Sequence, residues 1–121
     1  VINHDAPYKQ LFRVPGMVED LLKLIAKDSQ WLGSVDFASL ELVPSSFLGK
    51  NWQKRESDVI WRFKIGQREV FLYLILEFQS SHDWRMPVRM MGYVSMLYQA
   101  LIDQDHIQED TSLPPVLPVV A

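Results

Sequence analysis

Hydrophobic positions alternate with polar ones in two neighbouring stretches and recur at helical spacing in two others. In residues 57–65 the apolar set is Val59, Trp61, Phe63 and Ile65; in residues 69–79 it is Val70, Leu72, Leu74, Leu76 and Phe78. Alternation at period two marks a strand with one face buried. Only Gly66-Gln67-Arg68 separates the runs, so they read as a β-hairpin. The apolar set is odd-numbered in the first strand and even-numbered in the second. Both sets reach one core only if the numbers of opposed residues sum to an odd value, because a one-residue slip would turn a whole set to solvent. A turn centred on Gly66 and Gln67 meets this condition. It sets Asp58 opposite Ile75 and diagonal to Glu77, so Asp58, Glu77 and Gln79 share the face away from that core.

The helical runs flank this hairpin. Pro15 suits a first helical turn, and Val18, Leu21, Leu22 and Ile25 follow, with Glu19, Asp20, Lys23 and Lys27 on the other side; the helix should end near Asp28. From Pro87 a second helix carries Val88, Met91, Val94 or Ser95, Tyr98, Leu101 and Ile102. Met90, Tyr93 and Leu97 widen that stripe, which predicts burial on more than one side. Met86, Met90, Met91 and Met96 read as core packing rather than a cofactor box. Residues 37–43 predict a first strand, broken by Pro44-Ser45-Ser46, and residues 116–120 a last one entered through Pro114-Pro115. The unbroken apolar run at 71–76 reads as a central strand. The order helix-strand-strand-strand-helix-strand predicts a mixed α/β sandwich, with a parallel return across the second helix.

Composition narrows the function classes. A chain of 121 residues is one domain, and 48% hydrophobic with 22% charged residues leaves enough apolar surface to exclude wholesale disorder. The lack of cysteine excludes disulfide scaffolds, thiol catalysis and cysteine–zinc sites. No signal peptide or membrane-length apolar run appears, so a cytoplasmic protein without a membrane partner is expected. A net charge of −3 argues against a broadly basic nucleic-acid binder, while leaving room for a local basic face. The start at Val1 and the finish inside a strand-like run suggest an N-terminal fragment of a longer protein.

The acidic face of the hairpin carries the candidate chemistry. Diagonal neighbours on one face sit roughly 7–8 Å apart, near enough for two carboxylates to converge on one ion, and magnesium takes such hard oxygen ligands. Any sheet also shows polar residues to solvent, so the bland reading stands beside this one. Two details favour the metal: Glu77 and Gln79 interrupt the end of a very apolar strand, and Glu56 would oppose Glu77 if the first strand extends back. Clustered carboxylates are costly unless a cation joins them; Lys54 or Arg55 is the alternative cation.

His4-Asp5, Tyr8 to Phe12, Glu56-Ser57-Asp58, Leu76 to Ser81, Met86-Pro87-Val88-Arg89 with Tyr93, and Leu113 to Pro118 together resemble the Rpn group. These are the recombination-promoting nucleases, also described as YhgA-like transposases, of the PD-(D/E)XK nuclease superfamily. The resemblance covers essentially the whole chain. It implies a restriction-endonuclease-like core, association with mobile elements and DNA recombination, and magnesium- or manganese-dependent endonuclease cleavage of double-stranded DNA. Asp58 and Glu77 would hold the metal, with the Phe78 carbonyl as a further ligand, and the ion would polarise the scissile phosphate and supply hydroxide. Gln79 stands where the superfamily most often has lysine. Glutamine can orient a water but cannot neutralise developing charge, so weak activity, or a degenerate fold binding DNA or protein, is the alternative.

Around this set, Glu19 would be an accessory acid or part of a solvated helix face, and Glu56 a second accessory acid. Arg85 and Arg89 would grip DNA phosphates, or Arg89 would neutralise the carboxylates. Lys50, Lys54 and Arg55 with Trp52 form a basic-aromatic loop suited to nucleic acid or simply to solvent. His4 and His82 have bland readings as a capping and a solvated residue. A strict transposase would need a third acid on a later helix, for which Asp103 and Glu109 are poorly placed. A homodimer would cut both strands more simply than one chain.

Overall fold

The computed structural model describes residues 10–50, 52, 58–75 and 84–120. Along them the chain forms α1 (Pro15–Ile25), β1 (Val35–Leu42), β2 (Val59–Ile65), β3 (Arg68–Ile75), α2 (Met86–Asp103) and β4 (Val116–Val120). Short 3-10 turns at Gln30–Ser34 and Ser45–Leu48 flank β1. The expected element order holds, and the class is α/β with a mixed sheet of order β1-β2-β3-β4.

The hairpin adopts the register that parity demands. Ile65 pairs with Arg68 and Val59 with Leu74, and the same sum carries on to Asp58 and Ile75. Gly66 has φ 62° and Gln67 does not share that sign among the described residues, which matches a two-residue type II′ turn. The odd set of β2 and the even set of β3 meet Val18 and Leu22 of α1 in one core, as expected. Trp61 anchors the entry to that helix by donating Nε1–H to the Phe12 carbonyl at 2.8 Å.

β3 is central, with β2 antiparallel on one side and β4 parallel on the other. The parallel return follows from α2, which crosses the sheet between the two strands. Its residues Leu97, Ala100 and Leu101 pack with Val43, Leu48, Ile60, Phe71 and Tyr73 in a second core on the opposite face. So the face assigned to polar chemistry is itself covered at one end. This agrees with a mixed sheet flanked by helices: the hairpin is buried on both faces where it leaves the turn behind.

α2 departs from the expected burial on more than one side. Only one of its sides is buried; Val88 is 70% and Met91 72% exposed, and Met96 and Ile102 are exposed too. The stripe at 90, 93, 97, 100 and 101 wins because β3 offers Phe71 and Tyr73 to that side alone. Met91 and Met96 therefore do not pack in a core. Between the exposed side of α2 and β4 lies an apolar groove of about 640 Å³ that includes Met90, Met91, Val94, Tyr98 and Val116.

β1 begins at Val35 and carries an irregularity. Residues 37–40 stand opposite Phe63 alone, between the pairs Asp36–Lys64 and Glu41–Arg62. Side chains fill the broken ladder: Asp36 Oδ1 accepts from Ala38 N–H at 3.1 Å and Ser39 Oγ from Lys64 N–H at 2.8 Å. Beyond the break, Arg62 forms a forked pair with Glu41 at 2.9 and 3.0 Å. Its hydrogen bond and charge hold the Glu41 carboxyl below its ordinary range. No helix among the described residues is long and apolar enough to cross a membrane.

Candidate active site

Asp58 precedes β2 and is 0% exposed. A carboxylate in that position needs hydrogen-bond donors, since an unpaired buried charge costs several kcal/mol. Tyr73 supplies one, its hydroxyl donating to Asp58 Oδ2 at 2.8 Å across the hairpin. Tyr73 is 2% exposed and sits between two aromatic neighbours. Tyr93 of α2 stacks on it, with ring centroids 6.1 Å apart and 17° between planes, and Trp52 meets it edge-on at 6.5 Å. Arg89, one turn before Tyr93, donates Nη2–H to the Tyr93 hydroxyl at 3.1 Å. The buried acid is therefore tied through two tyrosines to an arginine at the start of α2.

This assembly follows from strand geometry. Asp58, Ile60, Phe71 and Tyr73 all point to the α2 face, and Asp58 lies diagonal to Tyr73 by the same count that made it diagonal to Glu77. The sequence reading missed Tyr73, treating it as part of an apolar run. The diagonal rule was the signal that identifies it, applied toward the turn as well as away from it.

The other candidate residues are spread over the chain. Glu56, Glu77, Gln79 and Lys54, together with His4 and His82, lie outside the described residues. Arg85 and Arg89 bracket the start of α2. Arg85 rests 5.9 Å from the Trp84 ring centroid, exposed, whereas Arg89 is half-buried on Tyr93. Glu19 sits on α1, which packs against the opposite face of the sheet from Asp58, and pairs with Lys23 at 3.3 Å. The Trp52 ring packs inward against Tyr73, while Lys54 and Arg55 of the same basic-aromatic segment lie outside the described residues. Asp103 closes α2 and accepts from Gln99 at 2.9 Å. Among the described residues no three His, Cys, Asp or Glu side chains gather as a metal-binding group.

Sequence comparison supplies what geometry alone does not. Residues 2–121 match the family model described as "Putative transposase, YhgA-like". The chain belongs to that family. It is 30% identical over 118 residues to the recombination-promoting nuclease RpnD of Escherichia coli O157:H7, covering 97% of this chain and 44% of the relative. It is 29% identical over 117 residues to the recombination-promoting nuclease RpnA of Escherichia coli K12, covering 97% of this chain and 38% of that protein. A similar match, 27% over 118 residues, reaches 97% of this chain and 38% of RpnE of Escherichia coli K12, which is named an inactive recombination-promoting nuclease-like protein. The chain thus spans less than half the length of these relatives, and the family includes nucleases alongside members named inactive. No solved structure matches the chain.

Proposed function

We propose that this chain is the catalytic core of an Rpn-type, magnesium-dependent DNA endonuclease with a restriction-endonuclease-like fold, and that Asp58 and Glu77 are its metal ligands. One observation carries the reading: a fully buried aspartate, held by a tyrosine hydroxyl, at the doubly covered end of the central hairpin. Proteins seldom bury a carboxylate in this way unless it has work to do. The donor chemistry fits a hard cation, for which Asp58 offers carboxylate oxygen. When bound, the ion supplies Lewis acidity at the scissile phosphate. Asp58 would fix its share of the coordination through a carboxylate that cannot rotate freely, Gln79 would orient a water, and Arg85, at the exposed start of α2, would meet DNA phosphate. Manganese would serve in place of magnesium.

A second reading is favoured by one specific fact, the relatives named inactive. With Gln79 in place of the lysine common in the superfamily, the same fold would serve as a DNA- or protein-binding module. Nicking of supercoiled plasmid separates the two. The full-length protein should nick in magnesium, and Asp58→Ala and Glu77→Ala should abolish nicking while staying folded. Cleavage that survives both substitutions would move the chemistry elsewhere. No cleavage and no divalent-ion binding by the wild type would favour the binding module.

A further inference from the structure

We propose that Tyr73 is a positioning residue for the metal site, fixing the Asp58 carboxylate in the rotamer that presents it to a divalent ion. This rests on the reading of Asp58 as a ligand. The Tyr73 hydroxyl donates to Oδ2 at 2.8 Å with both residues fully enclosed, so neither water nor a rotamer change can substitute for it cheaply. The phenol ring cannot drift, because Tyr93 stacks on it from α2 and Trp52 abuts its edge. A hydroxyl held this firmly selects one orientation of the carboxylate before any ion arrives, which lowers the ordering cost of coordination. Partners of this kind behind a ligand typically contribute 10–100-fold in metal affinity, by order of magnitude. α2 thereby joins the site without supplying a ligand: Tyr93 holds Tyr73, and Tyr73 holds Asp58.

The test measures Mn²⁺ binding by electron paramagnetic resonance of the free ion, in the full-length protein without DNA. Tyr73→Phe removes the hydroxyl and keeps the stacked ring. It should weaken Mn²⁺ binding by about 10–100-fold, whereas Asp58→Ala abolishes it. Tyr98→Phe also removes a hydrogen-bonded hydroxyl, here one donated to the Pro114 carbonyl at 2.6 Å, and it should bind as the wild type does. Wild-type affinity in Tyr73→Phe, with binding lost in Asp58→Ala, would overturn the positioning role and leave the metal reading intact. Equal binding by wild type and Asp58→Ala would remove Asp58 as a ligand, and the role of Tyr73 with it. Equal weakening in Tyr98→Phe would mark the effect as a general loss of packing and overturn the proposal. Should Tyr73→Phe fail to fold, the wild type still decides, through tyrosine labelled with ¹³C at Cζ. Incorporating the labelled tyrosine at position 73 alone makes its signal the one observed. Magnesium should shift that signal; an unmoved signal at saturating magnesium would overturn the proposal.

Discussion

Gly49 connects the turn that buries Leu48 to Trp52, which abuts Tyr73, and it does so with φ 87° and ψ 164°. That combination is open essentially to glycine alone, and an L-residue held there is strained by about 1–3 kcal/mol. Gly49→Ala meets a second obstacle, because its new Cβ would run into the Gln104 side-chain amide. That amide is the far end of a flexible, exposed side chain, so it can swing aside at little cost and the backbone term dominates. Alanine also loses less entropy on folding than glycine, which offsets roughly 0.4–1 kcal/mol. The net expectation is a loss of about 1–2 kcal/mol, or about 4–8 °C in Tm for a chain of this size. Urea unfolding followed by tryptophan fluorescence measures it, in the wild type and in a Gln104→Ala background. The loss should persist unchanged in that background. A loss rescued by Gln104→Ala would show that the steric contact, not the backbone conformation, sets the cost, and the reasoning would fail.

Asp105 is the one described non-glycine residue with positive φ, at 61°. It follows α2 in a paired closure in which Asp105 N–H reaches the Ile102 carbonyl and His106 N–H the Leu101 carbonyl, the arrangement that favours glycine. Asp105→Gly should therefore raise stability, by up to about 0.5–1 kcal/mol, and a lower urea midpoint would contradict this. Trp61→Phe removes the hydrogen bond to Phe12 and part of a buried ring, and should cost about 2–3 kcal/mol in the same assay; a neutral result would mean the Phe12 contact contributes nothing to docking α1. The Glu41 carboxyl is depressed by the Arg62 hydrogen bond first and by its charge second. A depressed carboxylate adds stability above its unfolded value that is lost as pH falls through the folded one. Stability should fall less steeply below pH 4.5 in Glu41→Gln than in the wild type, and parallel curves would show the exposed pair to be inert.

Much of the fold was legible because alternation and helical spacing report on contacts that are local or set by register. The parity of β2 and β3 dictated their pairing, and proline placement located both helix starts. The bounds of β4 came from the proline pair before it, and they hold. What was not legible depends on which face a partner covers. On α2 two apolar stripes compete, one through Val88 and Met91 and one through Met90, Tyr93 and Leu97. Spacing cannot choose between them; the position of Phe71 and Tyr73 does. The irregularity in β1 was hidden for a related reason, since Asp36 and Ser39 replace backbone ladder bonds with side-chain ones and leave no break in the hydrophobic pattern.

The same limit bears on Asp58, whose face alternation gives and whose enclosure it does not. Period-two alternation assumes that one face of a strand stays wet along its whole length, and β2 departs from that. On its α2 face Ile60 is buried, Arg62 half-buried and Lys64 exposed, so burial declines toward the hairpin turn. Asp58 lies at the opposite, enclosed extreme of that gradient. A carboxylate at Lys64's position would be an ordinary surface charge, screened and cheap. At position 58 it is taken out of water, must be hydrogen-bonded, and can be held in one orientation. The sequence shows which face Asp58 occupies; it does not show that Asp58 falls at the end where Tyr73, Tyr93 and Trp52 pack together. Enclosure of this kind separates a solvent-facing acidic charge from a carboxylate that a tyrosine hydroxyl can hold in one orientation.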